Sequence, residues 1–145
     1  MKRFLVSQGW QILGGEPPNG TCNDIIRIAI RPKNAKGRFH SLGSMKVDLV
    51  SKRGGTILLL EVKPYYSLRD KRKLELLTTE RLSDLMDSLQ ERCKVNPKDV
   101  TCILKGLAFS YGQKHPVDTD FLYFKVRINK SVEVIKGKLL SNVEV

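Results

Sequence analysis

Long apolar runs are missing from this sequence of 145 residues. No stretch approaches the roughly 20 residues needed to span a bilayer, so no membrane partner is expected. The basic opening Met1-Lys2-Arg3 leads only into Phe4-Leu5-Val6 before Ser7-Gln8-Gly9 interrupts it. That is too little for a secretory signal, and the expected location is the cytoplasm. Cysteine is scarce as well: Cys22, Cys93 and Cys102 are scattered, no CxxC pair exists, and His40 and His115 stand apart. A structural zinc site or a disulfide framework is disfavoured by that pattern. Cys102, inside an apolar run, reads as a buried free thiol in a reducing compartment. Repeats, low-complexity segments and linker-like stretches are absent too, which leaves one domain over residues 1–145.

Acidic residues are also in short supply. Asp plus Glu number 15 against 26 Lys plus Arg, a formal charge of +11. Each phosphate that such a surface neutralises releases condensed counterions, so nucleic acid is the first partner to expect. A merely soluble or ribosome-associated basic protein has the same composition.

The local pattern alternates helix and strand. Residues 2–12 read as a short helix or its remnant, and the Gly- and Pro-rich stretch 14–20 as a loop. Asp24 to Arg31 is β-branched and partly alternating, which predicts a strand. The basic, glycine-containing stretch 32–43 reads as a connection. Lys46 to Val50 and Thr56 to Lys63 flank Gly54-Gly55, a two-residue hairpin signal because glycine supplies the positive φ such turns require. Ser67 followed by Asp70 forms a capping box for one long helix over 68–94. Its apolar stripe comprises Leu74, Leu77, Leu82, Leu85, Met86 and Leu89. Strands follow over 100–111, 121–128 and 131–135. The predicted class is α/β, with a mixed central sheet made of a three-strand antiparallel meander, a crossover helix and further strands.

Pairing outward from Gly54-Gly55 places Arg53 opposite Thr56 and Asp48 opposite Glu61, with Cβ atoms about 5 Å apart. Lys63, two residues beyond Glu61, shares that face. Val47, Leu49, Leu58, Leu60 and Val62 are expected on the other face, toward the core. Opposed carboxylates repel and raise each other's pKa unless a positive charge lies between them. A hard divalent cation such as Mg²⁺ meets that need, and Mn²⁺ can substitute. Lys63 beside the pair can neutralise a phosphate or hold a water. The combination suits phosphodiester hydrolysis.

Lys46-Val47-Asp48-Leu49-Val50 followed by Leu60-Glu61-Val62-Lys63 resembles the signature of the PD-(D/E)xK nuclease superfamily, with Val47 standing where the family has proline. The superfamily includes restriction endonucleases, junction resolvases and repair nucleases. The resemblance implies a restriction-endonuclease-like core over about residues 1–110, with extra strands over 120–135. It implies a Mg²⁺-dependent endonuclease acting on DNA, with Asp48 and Glu61 as metal ligands and Lys63 positioning or activating the attacking water. The main-chain carbonyl of Val62 would face the metal, and Glu16 is the candidate for the further acid that many members carry. Restriction-type cleavage is the leading expectation. A junction resolvase or repair nuclease is the alternative within the family, and a non-catalytic basic nucleic-acid-binding subunit is the alternative outside it. Two cuts in a duplex need two sites, so a homodimer or a partner chain that supplies specificity is expected.

Around this motif, Arg69, Lys71, Arg72 and Lys73 crowd a helix start where the macrodipole disfavours positive charge. They form either a phosphate cradle or a solvated face. Tyr65 and Tyr66 either stack on nucleic acid or pack on the sheet edge. Lys33, Lys36, Arg38 and His40 form either a loop that follows a DNA backbone or a solvated turn. His115, near Asp118 and Asp120, reads as a turn residue more simply than as a second metal site.

Overall fold

The computed structural model describes residues 1–15, 28–32 and 43–145. Glu16, Cys22, Lys33, Lys36, Arg38 and His40 lie outside the described residues, as does the expected strand from Asp24 to Arg27. The fold is α/β, built on a mixed six-stranded sheet. Its first three members in space are β1 (Gln11–Gly15), β4 (Leu49–Arg53) and β5 (Thr56–Val62), each antiparallel to the next. β6 (Cys102–Ser110) and β7 (Phe121–Val126) continue the sheet parallel to β5, and β8 (Val132–Lys136) closes it antiparallel to β7.

The hairpin register is as expected, with Arg53 opposite Thr56 and Leu49 opposite Leu60. Gly54 takes φ 56° at the turn. The first strand of the meander differs from expectation. It is β1, which directly follows the short helix α1 (Lys2–Ser7). Its glycines, Gly14 and Gly15, carry no alternating side-chain pattern to read. Of the segment 24–31, Ala29–Ile30 forms a two-residue strand β2, which pairs with β3 (Met45–Lys46) in a separate ribbon.

The expected long helix is two helices, α2 (Leu68–Thr78) and α3 (Leu82–Cys93). Ser67 caps α2, its Oγ accepting from the Asp70 N–H at 3.2 Å. At the other end the Thr78 hydroxyl donates to the Leu74 carbonyl at 2.9 Å, and the Thr79 hydroxyl to the Glu75 carbonyl at 2.8 Å. Such back-bonding draws carbonyls from the helical ladder and bends the chain. α3 restarts at Arg81, whose guanidinium bonds Asp84 and the carbonyls of Gly43 and Ile30. The break turns α3 onto the β2–β3 ribbon and leaves Leu82 of the predicted stripe partly exposed, while Leu85 and Leu89 stay buried.

Both sheet faces are covered. Ile57 and Leu59 join Leu74, Leu77, Leu85, Leu89, Phe109 and Tyr123 in one core, and Val47 belongs to this core as well. Leu49, Leu58 and Leu60 join Leu5, Trp10, Leu122 and Phe124 in the other. Val47 therefore departs from its expected face, because the extended chain is interrupted between β3 and β4 and the alternation restarts at Leu49. Arg53 fastens the second layer: its guanidinium lies 4.7 Å from the Trp10 ring centroid and donates to the carbonyls of Gln8 and Glu144. Cys102 is exposed, contrary to expectation, because it opens β6 at the sheet end beyond the core. Among the described residues no helix is long and apolar enough to cross a membrane.

One close approach is sensitive to a single methyl group. A Cβ on Gly15 would lie 2.1 Å from the Asp48 carbonyl oxygen, whereas one on Gly54 would meet none of the described residues within 4 Å. Gly54→Ala is therefore expected to cost only the left-handed backbone penalty, about 1–2 kcal/mol. Gly15→Ala must move backbone and should cost more, at the upper end of the about 1–3 kcal/mol of overpacking or beyond. Urea unfolding midpoints of the two variants measure the order, and the reverse order would contradict this packing.

Candidate active site

Asp48 and Glu61 meet where β4 begins and β5 ends. The Asp48 N–H donates to Glu61 Oε1 at 3.3 Å, and the Val62 N–H donates to Asp48 Oδ2 at 2.8 Å. Lys63 Nζ reaches the same Oδ2 at 3.1 Å. The three residues paired from the hairpin count are thus gathered at one end of the sheet. Extended backbone points the N–H and C=O of one residue to the same side. The Val62 carbonyl accordingly turns toward the Asp48 side, while the Lys63 N–H turns away to the Ala108 carbonyl at 2.9 Å.

The carboxylates do not stand on an open face. β5 is an almost continuous apolar run, as expected of a strand covered on both sides, and α2 lies over its end. Glu61 is 1% exposed. Lys73, expected at a solvent-facing phosphate cradle, turns inward instead. Its Nζ lies 2.7 Å from Glu61 Oε1, 2.9 Å from the Lys46 carbonyl and 3.6 Å from Asp70 Oδ1. Lys71 also leaves the cradle, turning to Glu75 and Asp118. Arg69 and Arg72 remain exposed, as does Tyr65, whereas Tyr66 packs edge-on against Phe109. His115 stacks on Tyr123 with ring centroids 4.5 Å apart, which makes it an aromatic packing residue.

Asp70 was legible only as a capping residue, yet it is buried beside Lys73. Its signal was its spacing. Asp70, Leu74 and Leu77 occupy i, i+4 and i+7, so an acid sits on the buried stripe of α2.

Burial pushes the Glu61 carboxyl up to about 7, against the opposing pull of the Lys73 hydrogen bond and charge, and Asp48 and Asp70 add to the rise. Desolvation works against the Lys63 ammonium. Its hydrogen bond to Asp48 and the charges of Asp48, Asp70 and Glu61 outweigh that, leaving its pKa above the ordinary value. Lys63 is therefore a cationic donor at neutral pH, suited to hold a phosphate oxygen or orient a water.

Glu61 Oε2 is buried with no hydrogen-bond partner among the described residues, an arrangement that calls for an explanation in a native fold. Among the described residues no group of three or more His, Cys, Asp and Glu side chains gathers. The donors on hand are two carboxylates and a main-chain carbonyl. That set suits Mg²⁺, which binds through one or two carboxylates and keeps water or substrate phosphate in its other positions.

Folded Glu61 keeps its proton to about pH 7, while the unfolded chain releases it near 4.5. The folded state binds more protons between those values, so its stability falls as pH rises through that window and levels off above it. In EDTA, urea unfolding should lose up to about 3 kcal/mol across the window through this group, and Glu61→Gln should lack that decline. Identical profiles for the two proteins would mean that Lys73 holds Glu61 ionised. Comparison of the chain with protein-family models, with curated proteins and with solved structures returned no match.

Proposed function

We propose that this chain is a metal-dependent endonuclease that hydrolyses DNA phosphodiester bonds. The observation that carries the reading is the convergence of Asp48, Glu61 and Lys63 at one end of β4 and β5, with one oxygen of the buried Glu61 carboxylate lacking a partner among the described residues. The element order adds support. A helix, the antiparallel β1–β4–β5 meander, a helical crossover and the parallel β6 follow the order expected of a PD-(D/E)xK core.

In this reading Asp48 and Glu61 hold Mg²⁺ or Mn²⁺, with the Val62 carbonyl beside them. A bound divalent cation supplies stabilisation of negative charge on the phosphate and a lowered pKa for a coordinated water. Lys63 donates to the attacking water or to a phosphate oxygen and fixes the line of attack. The water oxygen bonds to phosphorus as one of its protons passes to bulk solvent, the P–O bond to the leaving sugar breaks, and that sugar oxygen takes up a proton from solvent. Lys73 is the cation that balances Glu61 in the metal-free protein. The exposed Arg69, Arg72 and Tyr65, close in sequence to Lys63, are the residues DNA would meet. A second copy or a partner chain supplies the second cut in a duplex.

The Lys73–Glu61 contact also favours a second reading, a basic nucleic-acid-binding subunit in which that ion pair is permanent and no metal enters. The two differ in their response to Mg²⁺. For the nuclease, supercoiled plasmid should be cut with Mg²⁺ or Mn²⁺ and not with EDTA. Asp48→Ala and Lys63→Ala should each lower the rate by about a hundredfold or more. Absence of cutting, with DNA affinity that only weakens as Mg²⁺ competes, would select the non-catalytic subunit.

A further inference from the structure

β5, β6 and β7 run parallel, so their C-terminal ends share one end of the sheet. The site occupies the end of β5. The ends of β6 and β7 carry Tyr111 and the tight turn Arg127–Ser131, which the candidate chemistry does not use. The Ser110 N–H donates to the Pro64 carbonyl at 3.3 Å, so this region adjoins the Tyr65 turn directly. Ser110, Tyr111, Val126, Arg127, Ile128 and Asn129 line a groove of about 650 Å³.

The walls of that groove are unusual for a surface turn. The Arg127 guanidinium lies 3.8 Å from the Tyr111 ring centroid, and its edge faces Glu133 at 3.5 Å. It is a planar cation held in place with its outer face available. Ile128 is fully exposed, and Tyr111 is 48% exposed. The turn is rigid: Arg127 N–H bonds the Ser131 carbonyl at 2.9 Å, and Asn129 Oδ1 accepts from Ser131 N–H and Oγ–H. That leaves the Asn129 amide hydrogens to donate outward. A lone exposed isoleucine needs no explanation. An exposed isoleucine lining the same groove as a preorganised aromatic–guanidinium stack, beside an amide donor and in a chain of charge +11, makes a place for a flat, polar-edged ring attached to a polyanion.

We infer that this groove binds an unpaired nucleobase of DNA, an inference that takes its substrate from the nuclease reading. The base stacks on the Arg127 plane against the Ile128 side chain, with its edge toward Asn129. A perfect duplex keeps its bases stacked and out of reach, so the groove selects bulged, branched or single-stranded DNA. It also sets a distance. Lys63 and Lys125 are level across two strand spacings, about 10 Å, and Ile128 lies three residues further, again about 10 Å. The diagonal of about 14 Å corresponds to about four nucleotides at 3.4 Å each.

The test compares, in EDTA, the affinity of the full chain for a 2-aminopurine-labelled duplex with one unpaired base and for its fully paired counterpart. The bulged duplex should bind about tenfold more tightly, with the 2-aminopurine fluorescence quenched. Arg127→Lys keeps the charge and loses the plane, and Ile128→Ser alters only an exposed side chain. Both should abolish the preference while retaining salt-sensitive duplex binding. Equal affinity for the two duplexes, or a preference untouched in both variants, would overturn the inference. With Mg²⁺, cutting about four nucleotides from the unpaired base is expected, and cuts unrelated to its position would also overturn it. A retained preference with no cutting would instead count against the nuclease reading and leave the groove standing.

Discussion

A carboxylate buried at the end of an apolar strand organises this molecule. Ile57, Leu58, Leu59 and Leu60 are all fully buried, and at about 1.5–3 kcal/mol each they contribute roughly 6–12 kcal/mol to holding β5 in the centre of the sheet. Keeping Glu61 ionised at the end of that run costs about 3 kcal/mol, judged from a carboxyl pushed up to about 7. The apolar run wins, so the chain can carry a strained acid where a purely structural sheet would have another leucine. Everything near Glu61 answers to it: Lys73 turns inward, Asp70 is buried beside that lysine, and Asp48 is drawn across the hairpin.

That arrangement explains why the helix over the site behaves unlike a simple phosphate cradle. The first turns of α2 are committed to internal electrostatics. Lys73 serves Glu61, and Lys71 serves Glu75 and the crossover that carries Asp118. Asp118 in turn accepts from the Tyr123 hydroxyl at 2.8 Å. The position of α2 over the carboxylates is thereby tied to the segment joining β6 to β7. Arg69, Arg72 and Tyr65 are left facing outward.

The hairpin was readable because two local rules agreed. Gly54-Gly55 fixed the turn, and strict alternation through Thr56–Lys63 fixed which side chains share a face. Register then followed by counting, and with it the meeting of Asp48, Glu61 and Lys63. The α/β class and the strands β6, β7 and β8 were readable from the same periodicity. Other features depend on contacts that no local pattern encodes. β1 is short and ends in two glycines, so its pairing with β4 is visible only in three dimensions. The break at Thr79 comes from hydroxyl groups competing for helix carbonyls, which a continuous leucine stripe conceals. The burial of Glu61 was half-legible. Four consecutive aliphatic residues signal a strand covered on both faces, and that implied a lid over the acid as well as a core beneath it.

The strand order has a consequence for motion. β5 and β6 have neighbours on both sides, whereas β1 and β8 are the edges of the sheet among the described residues. Local opening begins where amides are least protected and reaches the centre only near global unfolding. The carboxylates stand at the end of the best-protected strand and keep their spacing through ordinary fluctuations. The β7–β8 turn lies toward the edge of the sheet but is pinned by its own hydrogen bonds, Arg127 N–H to the Ser131 carbonyl and Ser131 N–H to Asn129 Oδ1. Amide exchange across this sheet would therefore run as a gradient from the edge strands to a rigid centre, with the spacing of Asp48 and Glu61 held there.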